Sequence, residues 1–250
     1  MFEALYGVSA WDEVATAYRH VTDAIAAFEQ TDTFNPFSSK FDGFLRGEVQ
    51  LSEQETQGFE LFKDETKANC IACHVGDPDS KDPRDWLFTD FTYDNLGVPR
   101  NTDIPDNKLA DSYDLGLCGS ALLVGRVPAE VTDKDAFVQT FCGAFKVPTL
   151  RNVARTAPYM HNGYFKQLRD VVDFYVTRDT DPGRWYPMAA DGAPDKFNDL
   201  PAMYKGNVNS SEAPYDRKPG EMPRLSPTEI DAVVAFLQTL SDGYQAPKAP

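Results

Sequence analysis

The most constraining feature of the chain is the pentapeptide from Cys70 to His74, which reads Cys-Ile-Ala-Cys-His. Cys-x-x-Cys-His is the attachment signature of c-type haem. In such a site the two thiols add across the haem vinyl groups, and the histidine binds the iron from one face. The sequence therefore predicts one covalent haem c, with Cys70, Cys73 and His74 as cofactor-binding residues and His74 as an iron ligand.

Two other uses of a Cys-x-x-Cys pair fit this chain less well. A thioredoxin-like dithiol is typical of a strand before the motif and a helix after it, whereas a helix is predicted before it here and loops after it. A zinc site needs a second close pair of ligands, but Cys118 and Cys142 lie 24 residues apart. Because His74 completes the haem signature, we favour haem.

The remaining two cysteines, Cys118 and Cys142, are an even number outside the haem motif. In an exported protein such a remainder suggests a disulfide. The bond would close a loop of about 25 residues and contribute roughly 3 kcal/mol on the loop-entropy model. The alternative is two unpaired structural cysteines, and the sequence leaves both open.

The size and charge of the chain limit the class of protein. A length of 250 residues with 42% hydrophobic content suits one large globular domain, or one domain with an arm. A net charge of −15 makes nucleic acid an unsuitable partner, because a phosphate-binding surface needs the opposite sign. The acidic surface either steers a basic redox partner towards the haem edge or simply keeps the protein soluble.

The cellular location is inferred from the haem motif. No run of about 18 apolar residues is present, so we expect no transmembrane helix. Residues 1–4 lack the basic and apolar regions of a signal peptide. Haem is nevertheless attached to such motifs outside the cytoplasm, on the periplasmic side in bacteria. We therefore expect a periplasmic protein, and the chain to be a mature product or a fragment of an exported one.

Helical periodicity and capping signals predict a mostly α fold. Apolar stripes indicate helices over residues 12–28 and 165–176. Capping boxes that start at Ser52 and Ser226 begin two further helices. The segments expected to be irregular, two of them rich in Asp, Pro and Gly, are residues 31–40, 76–135 and 179–224.

Two segments after the haem motif resemble a known family. Residues 145–153 read Phe-Lys-Val-Pro-Thr-Leu-Arg-Asn-Val, and residues 156–163 read Thr-Ala-Pro-Tyr-Met-His-Asn-Gly. Together they resemble the haem-domain motif of bacterial dihaem cytochrome c peroxidases and their MauG-type relatives. The resemblance implies a cytochrome c-like haem domain over residues 45–250, matching the family's C-terminal one. It also implies that residues 1–44 form a helical arm, similar to the end of the N-terminal haem domain.

The sixth iron ligand is left open between two residues. The family's distal ligand is methionine in the peroxidases and tyrosine in MauG-type members, and the resemblance points to Tyr175 as the second metal ligand. A core tyrosine with a hydrogen-bonded hydroxyl is the alternative for that position. Met222 is the rival, because a Met-Pro pair before a capped C-terminal helix is how small monohaem cytochromes present their methionine. Met160 and Met188 are weaker candidates.

The two histidines outside the motif are expected to be structural. His20 is predicted on the surface of the first helix. His161 lies in a turn-like segment, where nothing prevents it from lining the haem pocket.

The function implied by the resemblance is that of a periplasmic haem c oxidoreductase domain. Such a domain transfers electrons through its covalent haem, and peroxide is reduced with a second haem, although this chain has only one haem motif. The resemblance also implies a protein redox partner, often a homodimer, and a calcium ion bound in part by the backbone carbonyls of Thr156 and Pro158. The alternative is a monohaem electron-transfer cytochrome without catalysis of its own.

Overall fold

The computed structural model describes residues 1–119 and 127–246. Part of the segment predicted to be irregular, residues 120–126, therefore lies outside the described residues. The chain divides into two compact units, Met1–Ser38 and Ser39–Pro250. That residues 1–44 correspond to the end of another haem domain, and residues 45–250 to a haem domain of their own, stays a prediction.

The first unit contains helices α1 (Phe2–Tyr6) and α2 (Val14–Glu29). The Glu13 carboxylate caps α2 by accepting hydrogen bonds from the backbone N–H groups of Ala15 and Thr16, at 3.1 and 2.7 Å. Because Glu13 has an extended backbone and its carboxylate takes up these unpaired amides, α2 begins two residues later than the apolar stripe predicted.

The apolar stripe that predicted α2 is exposed. His20, predicted as a surface residue, is instead half-buried and stacks on Tyr6, with ring centroids 4.3 Å apart. The periodicity thus located the helix, but it did not indicate which of its side chains pack against other residues in the described structure. The exposed members of the stripe are Val14, Tyr18, Val21, Ile25 and Phe28.

The second unit is built around two helices, α4 (Glu53–Lys63) and α7 (Pro227–Gln238), which pack against each other. Both predicted capping boxes are formed, one at Ser52 and one at Ser226. Gly58 is where the two helices meet, because a Cβ at this position would lie only 1.9 Å from the carbonyl oxygen of Ala232. The close approach of α4 and α7 therefore requires a residue without a side chain.

An aromatic core fills the space beside this helix pair. A short helix that the sequence did not predict, α3 (Lys40–Leu45), places Phe41 fully buried in the centre of the core. The helix begins at Ser39, whose hydroxyl forms a capping box with Asp42. Edge-to-face and tilted ring pairs connect the members of the core, which are Phe41, Phe59, Phe62, Trp86, Phe88 and Phe236.

Helix α6 (Leu168–Thr177) follows the predicted stripe and packs against α7. Most of the remaining chain is irregular, as predicted, with short 3₁₀ turns. Two further elements were not predicted: helix α5 (Lys134–Gln139) and a two-stranded antiparallel pair of β1 (Tyr93–Asp94) with β2 (Phe145–Lys146). The described structure is thus mostly α with long loops, which confirms the predicted fold class.

Cys118 and Cys142 form a disulfide, with their Cα atoms 4.7 Å apart. The distance lies within the range of about 4.4–6.8 Å that disulfides span. The predicted bond is therefore confirmed, and the alternative of two free thiols is wrong.

Within the described ranges, no helix is both long and apolar enough to cross a membrane. Helix α2 has 16 residues, which is shorter than the roughly 20 apolar residues of a typical span.

Candidate haem site

A cavity of about 510 Å³ lies in the second unit. Its volume falls within the roughly 300–1,000 Å³ that is typical of cofactor and ligand sites. The Cys70–His74 segment forms part of the wall, together with residues of α4, α6 and α7. Most residues of the two segments that resemble the peroxidase family also line it, so the motif residues that are far apart in sequence meet here.

The local backbone brings the haem motif onto the cavity wall. Asn69 adopts a left-handed conformation with φ of 48° and starts a short 3₁₀ helix, Cys70–Ala72. The backbone N–H of His74 then donates to the carbonyl of Cys70 at 2.9 Å, which closes the turn. As a result Cys70, Cys73 and His74 all line the same cavity.

The His74 imidazole has a defined tautomer. Its Nδ1 lies 3.1 Å from the carbonyl oxygen of Phe88, and because a carbonyl can only accept, Nδ1 carries the proton. The unprotonated Nε2 is then available to a metal, in the arrangement that is usual for histidine ligands. Burial lowers the pKa of His74, against the opposite effect of the Phe88 carbonyl. The ring is therefore held neutral, as a metal ligand must be.

The two cysteine thiols do not suit the alternative uses of the motif. Burial raises the pKa of Cys70 to about 12. Burial, with a smaller effect from the charges of Asp94 and Asp90, raises the pKa of Cys73 to about 11. A redox-active dithiol has a lowered thiol pKa instead. Among the residues that the structure describes, no cluster of three or more His, Cys, Asp or Glu side chains could hold a metal ion such as zinc.

Tyr175 lies on the cavity wall in the last turns of α6. The apolar face predicted for this helix lines the cavity together with Tyr175, namely Leu168, Val171 and Val172. Burial raises the pKa of Tyr175 well above its ordinary range, and the charges of the nearby Cys70 and Cys73 raise it further. The phenol thus lines the same cavity as both haem-motif cysteines, and its burial favours the protonated form.

A second tyrosine on the wall, Tyr215, was not predicted from the sequence. It is 5% exposed, and its ring centroid lies 5.8 Å from that of Tyr175. The guanidinium carbon of the fully buried Arg178 lies 4.1 Å from the centroid of the Tyr215 ring. The Tyr215 hydroxyl is buried and has no hydrogen-bond partner among the residues that the structure describes.

Of the three methionines and one histidine considered as ligands or pocket residues, two line the cavity and two do not. Met222 is 81% exposed and Met188 60% exposed, and neither lines the cavity. Met160 and His161 both line the cavity. The sequence had left open whether His161 would do so.

His161 is held by stacking and by a carboxylate. Its ring is parallel to that of Phe145, with centroids 3.6 Å apart. Its Nε2 lies 3.5 Å from Oδ2 of the buried Asp199. Asn162 donates to the same oxygen at 2.8 Å, and Arg100 donates to the other carboxylate oxygen at 3.1 Å. This network fixes one rim of the cavity.

Sequence reasoning missed Arg178, Asp199 and Tyr215. Each lies within or beside a segment that was predicted to be a loop, and none belongs to a motif. A weak signal was available for Arg178, because it follows Tyr175 by three residues and therefore lies on the same side of α6. Tyr215 offered no comparable signal, since only the tertiary fold brings it to α6.

Known proteins are similar to this chain over most of its length. The methylamine utilization protein MauG of Paracoccus denitrificans is 34% identical over 250 residues, covering 98% of this chain and 57% of that protein. The cytochrome-c peroxidase IdrP1 of Denitromonas iodatirespirans is 32% identical over 185 residues, covering 70% of this chain and 44% of that protein. No family model matches the chain.

A solved structure agrees with this result. The crystal structure of the dihaem peroxidase BthA from Burkholderia thailandensis superposes with a TM-score of 0.84 at 38% identity, covering 97% of this chain and 55% of that one. The fold is therefore that of a cytochrome c-like, mostly α haem protein. The chain belongs to the bacterial dihaem cytochrome c peroxidase and MauG-type family, as the resemblance indicated. It spans about half the length of the curated relatives that it matches first.

Proposed function

We propose that this chain is a haem c domain of a dihaem peroxidase-type oxidoreductase, in which Tyr175 is the distal iron ligand. Cys70 and Cys73 would hold the haem by thioether bonds, and His74 would bind the iron through Nε2. The observation that carries the proposal is that Tyr175, at the helix position to which the family resemblance points, lines one cavity with all three residues of the haem motif. Met222, the rival ligand, is 81% exposed and lies outside that cavity.

Haem, when bound, supplies one-electron transfer, and the chain supplies attachment, orientation and electrostatics. The hydrogen bond from His74 Nδ1–H to the Phe88 carbonyl fixes the plane of the imidazole. The phenolate oxygen of Tyr175 is a hard anionic donor, which stabilises ferric iron, whereas a methionine thioether would favour ferrous iron. This pair of ligands predicts a low reduction potential.

The activity of the whole protein is a wider proposal. Several relatives, among them IdrP1 of Denitromonas iodatirespirans, are named cytochrome-c peroxidases, which supports peroxide as the substrate of the full-length protein, with a second haem taking part. A periplasmic location, a protein redox partner and a homodimer are proposed from the family resemblance. Calcium binding by the Thr156 and Pro158 carbonyls is proposed on the same basis, and both residues lie on the cavity wall.

A second candidate function is a monohaem electron-transfer cytochrome without catalysis of its own. The presence of a single Cys-x-x-Cys-His motif in the 250 residues favours it. Peroxide-dependent turnover by the chain on its own would eliminate this candidate. The absence of peroxide turnover by the full-length protein, with no oxidation of a protein substrate, would eliminate the first.

The ligand assignment is tested by the ferric absorption spectrum of the haem-loaded chain. Mass spectrometry first counts the covalent haems, and we expect one, lost in Cys73→Ala. A phenolate-to-iron charge-transfer band is then expected in the wild type and in the control Met222→Leu, but not in Tyr175→Phe. A methionine-to-iron charge-transfer band in the wild type would rule out Tyr175.

A further inference from the structure

We propose that Tyr215 is a positioning residue for the haem site, and that its hydroxyl donates a hydrogen bond to the phenolate oxygen of Tyr175. This inference rests on the proposed role of Tyr175 as an iron ligand. Tyr215 would not touch the iron, but it would act through Tyr175 by withdrawing electron density from the ligand oxygen.

The first argument is the unpartnered hydroxyl of Tyr215. The side chain is 5% exposed and lines the cavity, and its hydroxyl has no hydrogen-bond partner within residues 1–119 and 127–246. Leaving a buried hydroxyl unpaired is unfavourable, so such groups usually have a partner. The Tyr215 ring lies 5.8 Å from that of Tyr175, centroid to centroid, and both phenols line the same cavity.

The second argument is that two carboxylates on the cavity wall, Asp94 and Glu212, already accept hydrogen bonds from other groups. Asp94 accepts from the backbone N–H of Asn95 at 2.7 Å and from the side chain of Asn209 at 3.0 Å. Glu212 accepts from the same Asn209 side chain at 2.8 Å. An iron-bound phenolate at Tyr175 would keep a lone pair that can accept from this donor, and a hydrogen bond to an anionic oxygen is stronger than a neutral one.

The third argument is that the Tyr215 ring is held in place. Arg178 is fully buried, and its guanidinium lies over the ring at 4.1 Å from the centroid. The guanidinium donates to Asp179 and to the carbonyls of Leu96 and Asn209, so that it has little freedom to move. Arg178 directly follows α6, three residues after Tyr175. The same helix therefore positions both Tyr175 and the Arg178 guanidinium that packs on the Tyr215 ring.

The consequence for the iron has a definite sign. A hydrogen bond to an anionic ligand oxygen weakens its donation to ferric iron and therefore raises the reduction potential. Loss of the bond should lower the potential, strengthen the iron–oxygen bond, and move the phenolate-to-iron charge-transfer band to longer wavelength.

The test uses the haem-loaded chain and Tyr215→Phe, which removes the hydroxyl but keeps the ring on Arg178. We expect a lower midpoint potential, a higher iron–oxygen stretching frequency in the resonance Raman spectrum, and a red-shifted charge-transfer band. Tyr186→Phe is the matched control: Tyr186 is also buried but does not line the cavity, and its hydroxyl donates to the Gly97 carbonyl at 2.6 Å. We expect the control to leave all three readouts unchanged.

A second measurement needs no variant. In wild-type protein exchanged into D₂O, the iron–oxygen stretch should shift, because a deuteron replaces the hydrogen-bonded proton. A wild-type stretch that D₂O leaves unchanged, or a Tyr215→Phe protein with the wild-type potential and band, would overturn the role of Tyr215. If the wild-type spectrum has no phenolate band, or has one that Tyr175→Phe does not remove, the assignment of Tyr175 as the ligand is itself wrong.

Discussion

Arg151 and Asp42 form a two-pronged ion pair that joins the peroxidase-like motif to helix α3. The two guanidinium nitrogens donate to the two carboxylate oxygens at 2.9 and 3.2 Å. Asp42 is fully buried and also accepts from the backbone N–H of Ser39 at 2.8 Å. Arg151 donates in addition to the carbonyls of Trp86 and Pro83. A single carboxylate thus caps α3 and anchors the motif.

We expect Asp42→Asn to be strongly destabilising. It removes the charge that compensates a buried guanidinium, and breaking such a pair typically costs about 3–5 kcal/mol. Chemical denaturation should show a large fall in the free energy of unfolding. The control is Glu48→Gln, which removes the charge of Glu48 from its exposed ion pair with Arg46. This substitution should lower the free energy of unfolding by less than about 1 kcal/mol. Equal effects of the two substitutions would contradict the structural role of Asp42.

Gly58→Ala is expected to separate the two central helices. The new Cβ would lie 1.9 Å from the Ala232 carbonyl oxygen, and neither backbone can yield without moving a helix. Overpacking of this kind costs about 1–3 kcal/mol, occasionally more. The change should appear as a lower thermal midpoint of unfolding.

Gly206→Ala is a matched control for this helix contact. Gly206 has nothing within 4 Å of the position of a Cβ, and its φ is not in the left-handed region. We expect its midpoint to equal or exceed that of the wild type. If Gly58→Ala is as stable as Gly206→Ala, the helices are not packed as closely as described.

The disulfide between Cys118 and Cys142 should stabilise the chain by roughly 3 kcal/mol, because it closes a loop of about 25 residues. The double variant Cys118→Ser, Cys142→Ser should unfold at lower denaturant concentration than the wild type. A reducing agent should bring the wild type to the stability of the double variant and leave the double variant unchanged. Wild-type unfolding that is insensitive to reduction would contradict this prediction.

The capping box of α7 predicts a pH dependence of stability. A hydrogen bond from Lys67, together with one from the Ser226 N–H, lowers the pKa of Glu229 below its ordinary 4.5. Because the pKa is lower in the folded than in the unfolded state, the carboxylate stabilises the fold above the ordinary value, and this stabilisation is lost as pH falls through the lowered pKa. Glu229→Gln should cost about 1 kcal/mol near neutral pH.

The measurement is the difference in unfolding free energy between the wild type and Glu229→Gln as a function of pH. The difference should shrink as the solution is acidified below 4.5. Glu60→Gln is the control, because Glu60 is 65% exposed and pairs with Lys63 in a surface contact. It should change stability by no more than about 0.5 kcal/mol at any pH. A pH-independent effect of Glu229→Gln would contradict the ionic role of this carboxylate.

Local signals in the sequence were sufficient for the regular elements that have strong caps. The capping boxes at Ser52 and Ser226 located the starts of α4 and α7, because the side-chain hydrogen bonds involve only neighbouring residues. Helix α3 was missed, since its box at Ser39 is closed by an aspartate and only six residues follow. The exposed stripe of α2 shows that periodicity predicts a helix without telling what covers its apolar face.

The sequence by itself determined the haem motif, because Cys70, Cys73 and His74 are adjacent along the chain and their spacing carries the chemistry. The tertiary structure decided what lies near them. It brings Tyr175 to the wall of the same cavity and leaves Met222 81% exposed, which supports the proposal that Tyr175 is the sixth ligand. It also places Tyr215 beside Tyr175 across a distance of forty residues, by contacts that no local pattern encodes. Long-range packing, rather than residue type, selects the residues that line the cavity beside the haem motif.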